Sequence, residues 1–500
     1  MKHKLLTSLS RETFLTGSVL IMAGLVFNKM LAMVYNILLA RTLHSHDFGV
    51  LVLGLSIFEL VNAPSGLGMA GLLPKYISEF RTNEQYKKIN DVISLVMSSC
   101  ISIGIIMALV IGAVSGILSL HVFRLPELAR VLIVLSVSVP FTIGNSLLVS
   151  LFRGYQQIRP KILLQDLLLP LVKIALFTAL FSLGYGLRAA CYAFTFANII
   201  IFTTTLLTAY RSLKLKLRVT YYDQSITPGL FRMAWPLSLQ TLVVIIYAQV
   251  DRLCLGYFLP PGEIGIYGAA YSITSMMSII PMAFYYLSLP LFAKILQGDD
   301  PAQIKAAYNR IALTVFRIAL PVLGTLMLFA RQFLGILYGR EYTGGATVLW
   351  ILSLGIFSEA LLGPAIDSLV ASGKTRMPLY SALAGCLLNI LLNILLIPKL
   401  GITGAALAAC SSMVMSKTIL GVANYRQHKI FPLNYRHLVY AAISSCIAML
   451  IVYLDEGMQA LNGTLRTSAL SCGYIIVSYA LFYALDHWSG NARPQQEIST

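Results

Sequence analysis

Charge is what this 500-residue chain has least of: 11% of it is Asp, Glu, Lys or Arg, against 57% hydrophobic residues. A soluble domain usually carries about 25% charged residues, so a water-facing surface around one soluble core is excluded. Acidic residues are the scarcer sign, 20 against 37 basic ones, for a net charge of +17. Long polar stretches are missing too. The longest, near 210–230, leaves no room for a soluble catalytic or nucleotide-binding domain. Cysteine pairs are absent. Cys100, Cys191, Cys254, Cys386, Cys410, Cys446 and Cys472 stand alone, with no C-x-x-C spacing. That excludes a cysteine-based zinc cluster and a disulfide framework, and leaves small apolar packing residues. Ser372-Gly373-Lys374-Thr375 ends like a phosphate-binding loop, but the required first glycine is Ser368, and an apolar run precedes it where a strand is needed. No metal and no cofactor are expected.

What is present is apolar sequence in long runs. Fourteen of them follow one another, near 13–39, 48–72, 92–119, 129–152, 162–182, 187–209, 231–255, 264–292, 311–331, 346–371, 379–398, 401–423, 438–454 and 467–487, and are numbered spans 1–14 in that order. Each can cross a hydrocarbon core about 30 Å thick. Backbone groups in lipid must be satisfied within the segment, so the runs read as helices, and the short alternating strands of a barrel are missing. The fold class is therefore all-α and polytopic, with about fourteen spans. Span 1 is too long for a signal peptide. With a cytoplasmic N-terminus, most of the basic residues fall on the inner side, the positive-inside bias. Both termini are then cytoplasmic, and a cell membrane is the location. Arg211, Lys214, Lys216 and Arg218 form the densest basic cluster. It reads as an orientation signal in a linker, or as a contact for anionic lipid heads. A nucleic-acid partner is excluded, since no soluble fold presents such a surface. Asp299-Asp300 before Pro301 reads as a cytoplasmic turn. Asn462-Gly463-Thr464 is a glycosylation sequon on an outer loop.

The chain also repeats itself. Leu43-x-x-x-Asp47-Phe48-Gly49-Val50 is echoed by Leu259-x-x-x-Glu263-Ile264-Gly265-Ile266. At the same offset Ser56 falls on Ser272 and Pro74 on Pro290. With slight drift, Ser150-Leu-x-x-Gly154 then Pro160 matches Ser368-Leu-x-x-x-Gly373 then Pro378. Leu183-Gly184 then Ala189 matches Leu400-Gly401 then Ala406. Two related membrane halves are the usual plan of a transporter, in which one half rocks against the other about a central site. The halves are read as residues 1–210 (spans 1–6) and 211–430 (spans 7–12). Residues 431–490 (spans 13 and 14) have no counterpart, and 491–500 form a cytoplasmic tail.

A charge inside a span costs about 2.5–3.5 kcal/mol on insertion scales unless it meets a wet cavity or a partner. Lys29 lies mid-way along span 1, with Asn36 seven residues on along the same face and Asn28 and Tyr35 beside them. Lys173 is deep in span 5, with Asp166 two helical turns before it. The pair would share a cavity without touching. Arg317 lies in span 9 and Lys417 in the inner half of span 12. Acidic groups are Glu59 in span 2, Asp251 in span 7, and Glu359 and Asp367 in span 10; Gln240, Tyr247 and Asp251 share one face. Arg252 and Lys417 could instead snorkel to the interfaces, and Asp251 could be the structural partner of a basic group. The remaining cations, above all Lys29 and Lys173, suit the path of an anionic substrate such as a phosphate or pyrophosphate. Pro64 with Gly66, Gly68 and Gly71 in span 2, and Pro281 in span 8, are candidate hinges; each proline removes a helix hydrogen bond.

Gln249-Val-Asp251-Arg252-Leu-Cys-Leu-Gly256, then Glu263-Ile-Gly265-Ile-Tyr267-Gly-Ala-Ala270-Tyr271, resembles the span 7–8 signature of polysaccharide-biosynthesis membrane proteins. Ala40-Arg41-x-Leu43 then Phe48-Gly49 is similar to its first-half version, and Gly401-Ile-Thr-Gly404-Ala405-Ala406 to the opening of span 12. These are lipid-linked oligosaccharide flippases of the multidrug/oligosaccharidyl-lipid/polysaccharide exporter superfamily. The resemblance runs over spans 1–12. It implies two six-helix lobes around a central cavity and alternating access. It also implies a polyprenyl-pyrophosphate-linked glycan as substrate. H+ or Na+ would be the coupling ion, with glycan polymerisation or transfer machinery as partner. Lipid II flippases also tend to carry basic residues in spans 2 and 8, where this chain has Glu59 and none before Lys294. Cation-coupled multidrug extruders often have an acid in span 1, which is missing here. A membrane-embedded glycosyltransferase or polymerase would need large outer loops or a D-x-D cluster, so the chain is read as a transporter and not an enzyme.

Overall fold

Apolar runs of this length can satisfy their backbone groups in lipid only as helices, and helices are what they form. The computed structural model describes residues 11–66, 68–213, 227–296, 301–431, 434–457 and 463–491, with no strand among them. Lys214, Lys216 and Arg218, Asp299-Asp300, and Asn462 of the sequon lie outside the described residues.

In chain order the helices are α1 (Arg11–Ser65), α2 (Met69–Thr82), α3 (Tyr86–Ile117), α4 (Pro126–Ser136), α5 (Val139–Gly154), α6 (Leu169–Ser182), α7 (Leu187–Leu213), α8 (Thr227–Phe258), α9 (Pro261–Met276), α10 (Ile279–Leu296), α11 (Pro301–Leu328), α12 (Ala330–Leu337), α13 (Ala346–Leu362), α14 (Ala365–Ala371), α15 (Met377–His428), α16 (Tyr435–Gly457) and α17 (Gly463–Asn491). Among the described residues eleven helical stretches are long and apolar enough to cross a membrane, or up to twelve if the bent pair α4–α5 is one span. Two of them change direction at a non-helical residue: α1 at His44, with φ 60°, and α15 at Gly401, with φ 58°. Dividing both there, and counting α4–α5 as one, yields the fourteen spans expected from the sequence.

Several spans are less regular than their apolar sequence suggests. Span 2 breaks between Ser65 and Met69, where Gly68 adopts φ 63° and a Cβ would stand 2.8 Å from the backbone nitrogen of Ser238. Glycine alone fits that close approach in a left-handed conformation. Span 8 breaks at Met277–Ser278, just ahead of Pro281. Span 10 breaks at Gly363, φ 72°, before Pro364. Span 3 ends in a π-helical turn, Leu118–Val122, and span 5 begins with another, Lys161–Leu168. The short α12 and the 3-10 turn Arg340–Gly345 lie in the connection before span 10.

The repeat is visible in backbone geometry. Gln156 and Gly373 both have positive φ, 60° and 79°. Each turn closes by the same six-residue hydrogen bond, Gln157 N–H to Phe152 O at 2.8 Å and Lys374 N–H to Leu369 O at 2.9 Å. Pro74 and Pro290 both lie inside helices. Ala189 and Ala406 are both completely buried.

The chain packs into two compact units, residues 1–268 with 389–405, and residues 269–388 with 406–500. Within the first, the echoed turns touch. A Cβ on Gly49 would lie 1.8 Å from the Pro261 carbonyl oxygen, and one on Gly265 2.3 Å from that of Ser45. Within the second, α16 and α17 pack on α11. The Tyr474 hydroxyl occupies the place where a Cβ on Gly324 would be, and the Tyr479 hydroxyl donates to the Ile318 carbonyl at 2.8 Å. Tyr440 and Phe482 are buried against Phe316.

Candidate functional site

In the first unit the polar groups of spans 1, 2, 5 and 7 fall into three groups. The first lies where α1 meets the π segment of span 5. Gly24 packs so closely that a Cβ would be 3.0 Å from Asp166 Oδ2. Asn28 donates to the carbonyls of Gln165 and Asp166, at 3.3 and 3.2 Å. Asp166 pairs with Lys161 Nζ at 3.1 Å, with only 5% of its side chain exposed. The five-residue spacing of that pair belongs to the wider π turn, whose hydrogen bonds run five residues back. An α-helix would point the two side chains apart. Lys29 and Asn36 are half-buried on α1 and both engaged in contacts.

Lys173 belongs to the second group. Its ammonium lies 4.2 Å from the centroid of Phe194, a cation–π contact, and Phe194 stacks edge-on against Phe58. Glu59 is within electrostatic reach of both Lys173 and Arg252. Arg252 donates to Gln249 Oε1 at 2.6 Å, so it is held among protein groups and does not snorkel outward. The electrostatic partner of Asp166 is Lys161, and that of Lys173 is Glu59. Asp166 and Lys173 thus have different partners and do not pair with each other.

The third group centres on Asp251, 6% exposed. Its carboxylate accepts from Asn393 Nδ2 at 2.8 Å and from the Tyr267 hydroxyl at 3.1 Å, and Asn389 bonds to it as well. Asn389 and Asn393 are one turn apart on α15 and fully buried. Asn393 Oδ1 is buried with no hydrogen-bond partner. Gln240 and Tyr247 are half-buried further back on α8.

In the second unit, Lys417 pairs with Glu359 at 2.9 Å. Asp367 accepts from Ser288 and feels both Glu359 and Lys417. Carbonyls beside the helix break at Gly363 accept from neighbouring tyrosines: Tyr285 donates to Glu359 O at 2.9 Å, which also accepts from Gly363 N–H, and Tyr308 donates to Leu362 O, left free by the break. Arg317 is elsewhere, within reach of Tyr440 and Tyr479 of the added spans.

Sequence reasoning missed Lys161, Tyr267, Asn389, Asn393, Tyr285 and Ser288. The Asn389/Asn393 spacing was a readable signal, since two amides at i, i+4 in an apolar run must find partners. Lys161 was not readable, because nothing local announces a π turn. Among the described residues His46, Asp47 and Glu127 also gather at an exposed turn, with His46 Nδ1 3.2 Å from Asp47. Their exposure suits a solvated ion cluster.

Half-buried cations thus lie on apolar helices, and three of the spans are broken. Residues 14–296 match the family model described as Polysaccharide biosynthesis protein. The chain belongs to the polysaccharide biosynthesis protein family. A second model, MatE, matches residues 236–395. Stage V sporulation protein B of Bacillus subtilis is 23% identical over 95% of both chains. The probable low-salt glycan biosynthesis flippase Agl15 of Haloferax volcanii is 21% identical over 44% of this chain, which spans 46% of that protein. Among solved structures, the lipid II flippase MurJ in its inward closed conformation aligns with a TM-score of 0.73 at 18% identity. The alignment covers 93% of this chain and 99% of MurJ. An inward-facing MATE multidrug transporter aligns at 0.66 and 14% identity, over 80% and 94%. The fold of this family member is thus that of the flippase and extruder structures.

Proposed function

We propose that this family member flips a polyprenyl-pyrophosphate-linked oligosaccharide from the cytoplasmic to the outer leaflet of the cell membrane by alternating access. The observation that carries the reading is the set of cations held deep in apolar spans, Lys29 on α1 and Lys173 beside Phe194. A cation kept in hydrocarbon at a cost of kilocalories is kept for an anion or a partner. A diphosphate offers several acceptor oxygens to such groups. Arg317 and Lys417 are secondary candidates, since one lies beside tyrosines and the other is paired with Glu359. The family membership and the relatives' names support the glycan. Lipid II transport is the second reading, supported by the MurJ-like fold over nearly the whole chain. Glu59 in place of a basic residue in span 2 disfavours it.

The two lobes are residues 1–210 and 211–430, with 431–490 added, and both termini are cytoplasmic. The broken spans serve as hinges: Pro64, Gly66 and Gly68 in one half, Pro281 in the other. Asp251 is the coupling residue. A carboxylate beside two amides and a phenol supplies oxygen ligands of the kind hard cations take, so Na+ is the ion. Asn393 reaches that state by an amide flip, which exchanges its nitrogen for the unused oxygen.

Export in a host lacking its own flippase tests the function. The wild-type chain should restore surface glycan, and Lys29→Ala with Lys173→Ala should not, with insertion unchanged. Full export by the double variant would remove the cation argument.

A further inference from the structure

Where α14, α15 and the turn between them meet, the second unit holds an amphipathic pocket of about 470 Å3. Its lining includes the polar Lys374, Arg426 and Gln427 and the apolar Leu369, Ile419 and Val422. No carboxylate lines it. Among the described residues neither Lys374 nor Arg426 has a side-chain hydrogen bond or ion pair. The walls are fixed: Ser368 donates to Asn424 at 2.9 Å, and Ser372 bonds to His428 at 2.8 Å, tying the turn after α14 to the end of α15.

Two cations with no side-chain partner among the described residues, together with apolar lining residues, at the end of membrane helices, complement one ligand class. We propose that this pocket binds an anionic phospholipid of the bilayer, its phosphodiester between Lys374 and Arg426 and its acyl chains along Val422. Basic pockets between spans on the cytoplasmic side are known to hold such headgroups. Arg426 in the last turn of α15 is also favoured by the helix dipole, but Lys374 lies beyond the other end of that helix and has no such reason. The mostly apolar pocket has room for a glycerophosphate and its first methylenes. A pyrophosphate carrying an oligosaccharide needs more space, so the occupant is a resident lipid and not the cargo.

Thermal unfolding of the purified full-length protein in neutral detergent tests this. Phosphatidylglycerol should raise the Tm by several degrees, and phosphatidylcholine, inorganic phosphate and undecaprenyl phosphate should not. Lys374→Gln with Arg426→Gln should abolish the shift and weaken phosphatidylglycerol binding about tenfold or more, the order expected for two interfacial cations. Arg310→Gln with Arg436→Gln, at another basic pocket, should keep it. An equal shift with phosphatidylcholine, with phosphate alone or with undecaprenyl phosphate overturns the proposal, as does a full response in the Lys374/Arg426 variant. If that variant does not fold, Lys374→Gln alone is read by native mass spectrometry, and undiminished retention of phosphatidylglycerol counts against the site.

Discussion

Gly49 and Gly265 pack backbone against backbone in a nearly reciprocal contact. A Cβ on the first would lie 3.0 Å from the nitrogen of the second, and a Cβ on the second 3.3 Å from the nitrogen of the first. Each would also strike the carbonyl at the matching place in the other repeat, Pro261 or Ser45. Two turns related by sequence thus meet in a reciprocal contact.

Adding a methyl there should separate them. Gly49→Ala or Gly265→Ala should cost about 1–3 kcal/mol of overpacking in this conformation, seen as faster thiol labelling at a cysteine placed at 46. Gly112→Ala, with nothing within 4 Å of its Cβ, should be neutral or slightly stabilising. Equal labelling in all three variants would mean the contact does not hold the turns together.

For the buried cations, Lys173→Arg should keep part of the export that Lys173→Ala loses, because charge is retained while the contact with Phe194 changes shape. Lys29 should behave likewise. Surface-glycan labelling in the complemented host measures both, with a membrane-fraction immunoblot to establish insertion. No difference between the Arg and Ala variants would mean that charge is not what Lys173 contributes.

The Lys417–Glu359 pair is about a quarter exposed on each side. A double-mutant cycle with Lys417→Met and Glu359→Gln should return a coupling energy between about 1 kcal/mol, the upper end for exposed pairs, and about 3 kcal/mol, the lower end for breaking a buried one. Unfolding in denaturant reads it. A coupling near zero would return Lys417 to the role of a snorkelling residue.

Asp251→Asn keeps the hydrogen-bonding shape around Asn393 and Tyr267 and removes the charge. Export driven by an imposed Na+ gradient in vesicles should stop, while the protein stays folded. Unchanged Na+ dependence would leave Asp251 a structural node, and dependence on a H+ gradient alone would replace the ion.

Much of this was legible beforehand. Span number came from apolar run length, and the repeat from phrases such as Asp47-Phe48-Gly49 that later proved to touch their echo. What was hidden depends on register. The π turn at Lys161–Leu168 brings Lys161 to Asp166, five residues on, while Lys173 in the following helix meets Phe194 and Glu59. Nothing in a seven-residue spacing reveals an extra residue per turn. Tertiary partners were equally invisible: Asp251 finds Asn393, 142 residues away, and only the fold chooses that pairing.

Alternating access at the Gly49–Gly265 contact is the central claim, and one cross-link tests it most directly. Position 262 is close to the first turn: a Cβ added to Gly262 would lie 3.7 Å from Ser45 Oγ. His46→Cys and Gly262→Cys, in a chain whose seven native cysteines are replaced, should be joined by a short bifunctional reagent. The linked protein should export no glycan, and reduction of a cleavable linker should restore export. A short cross-link that forms readily while export continues at the full rate would contradict the account.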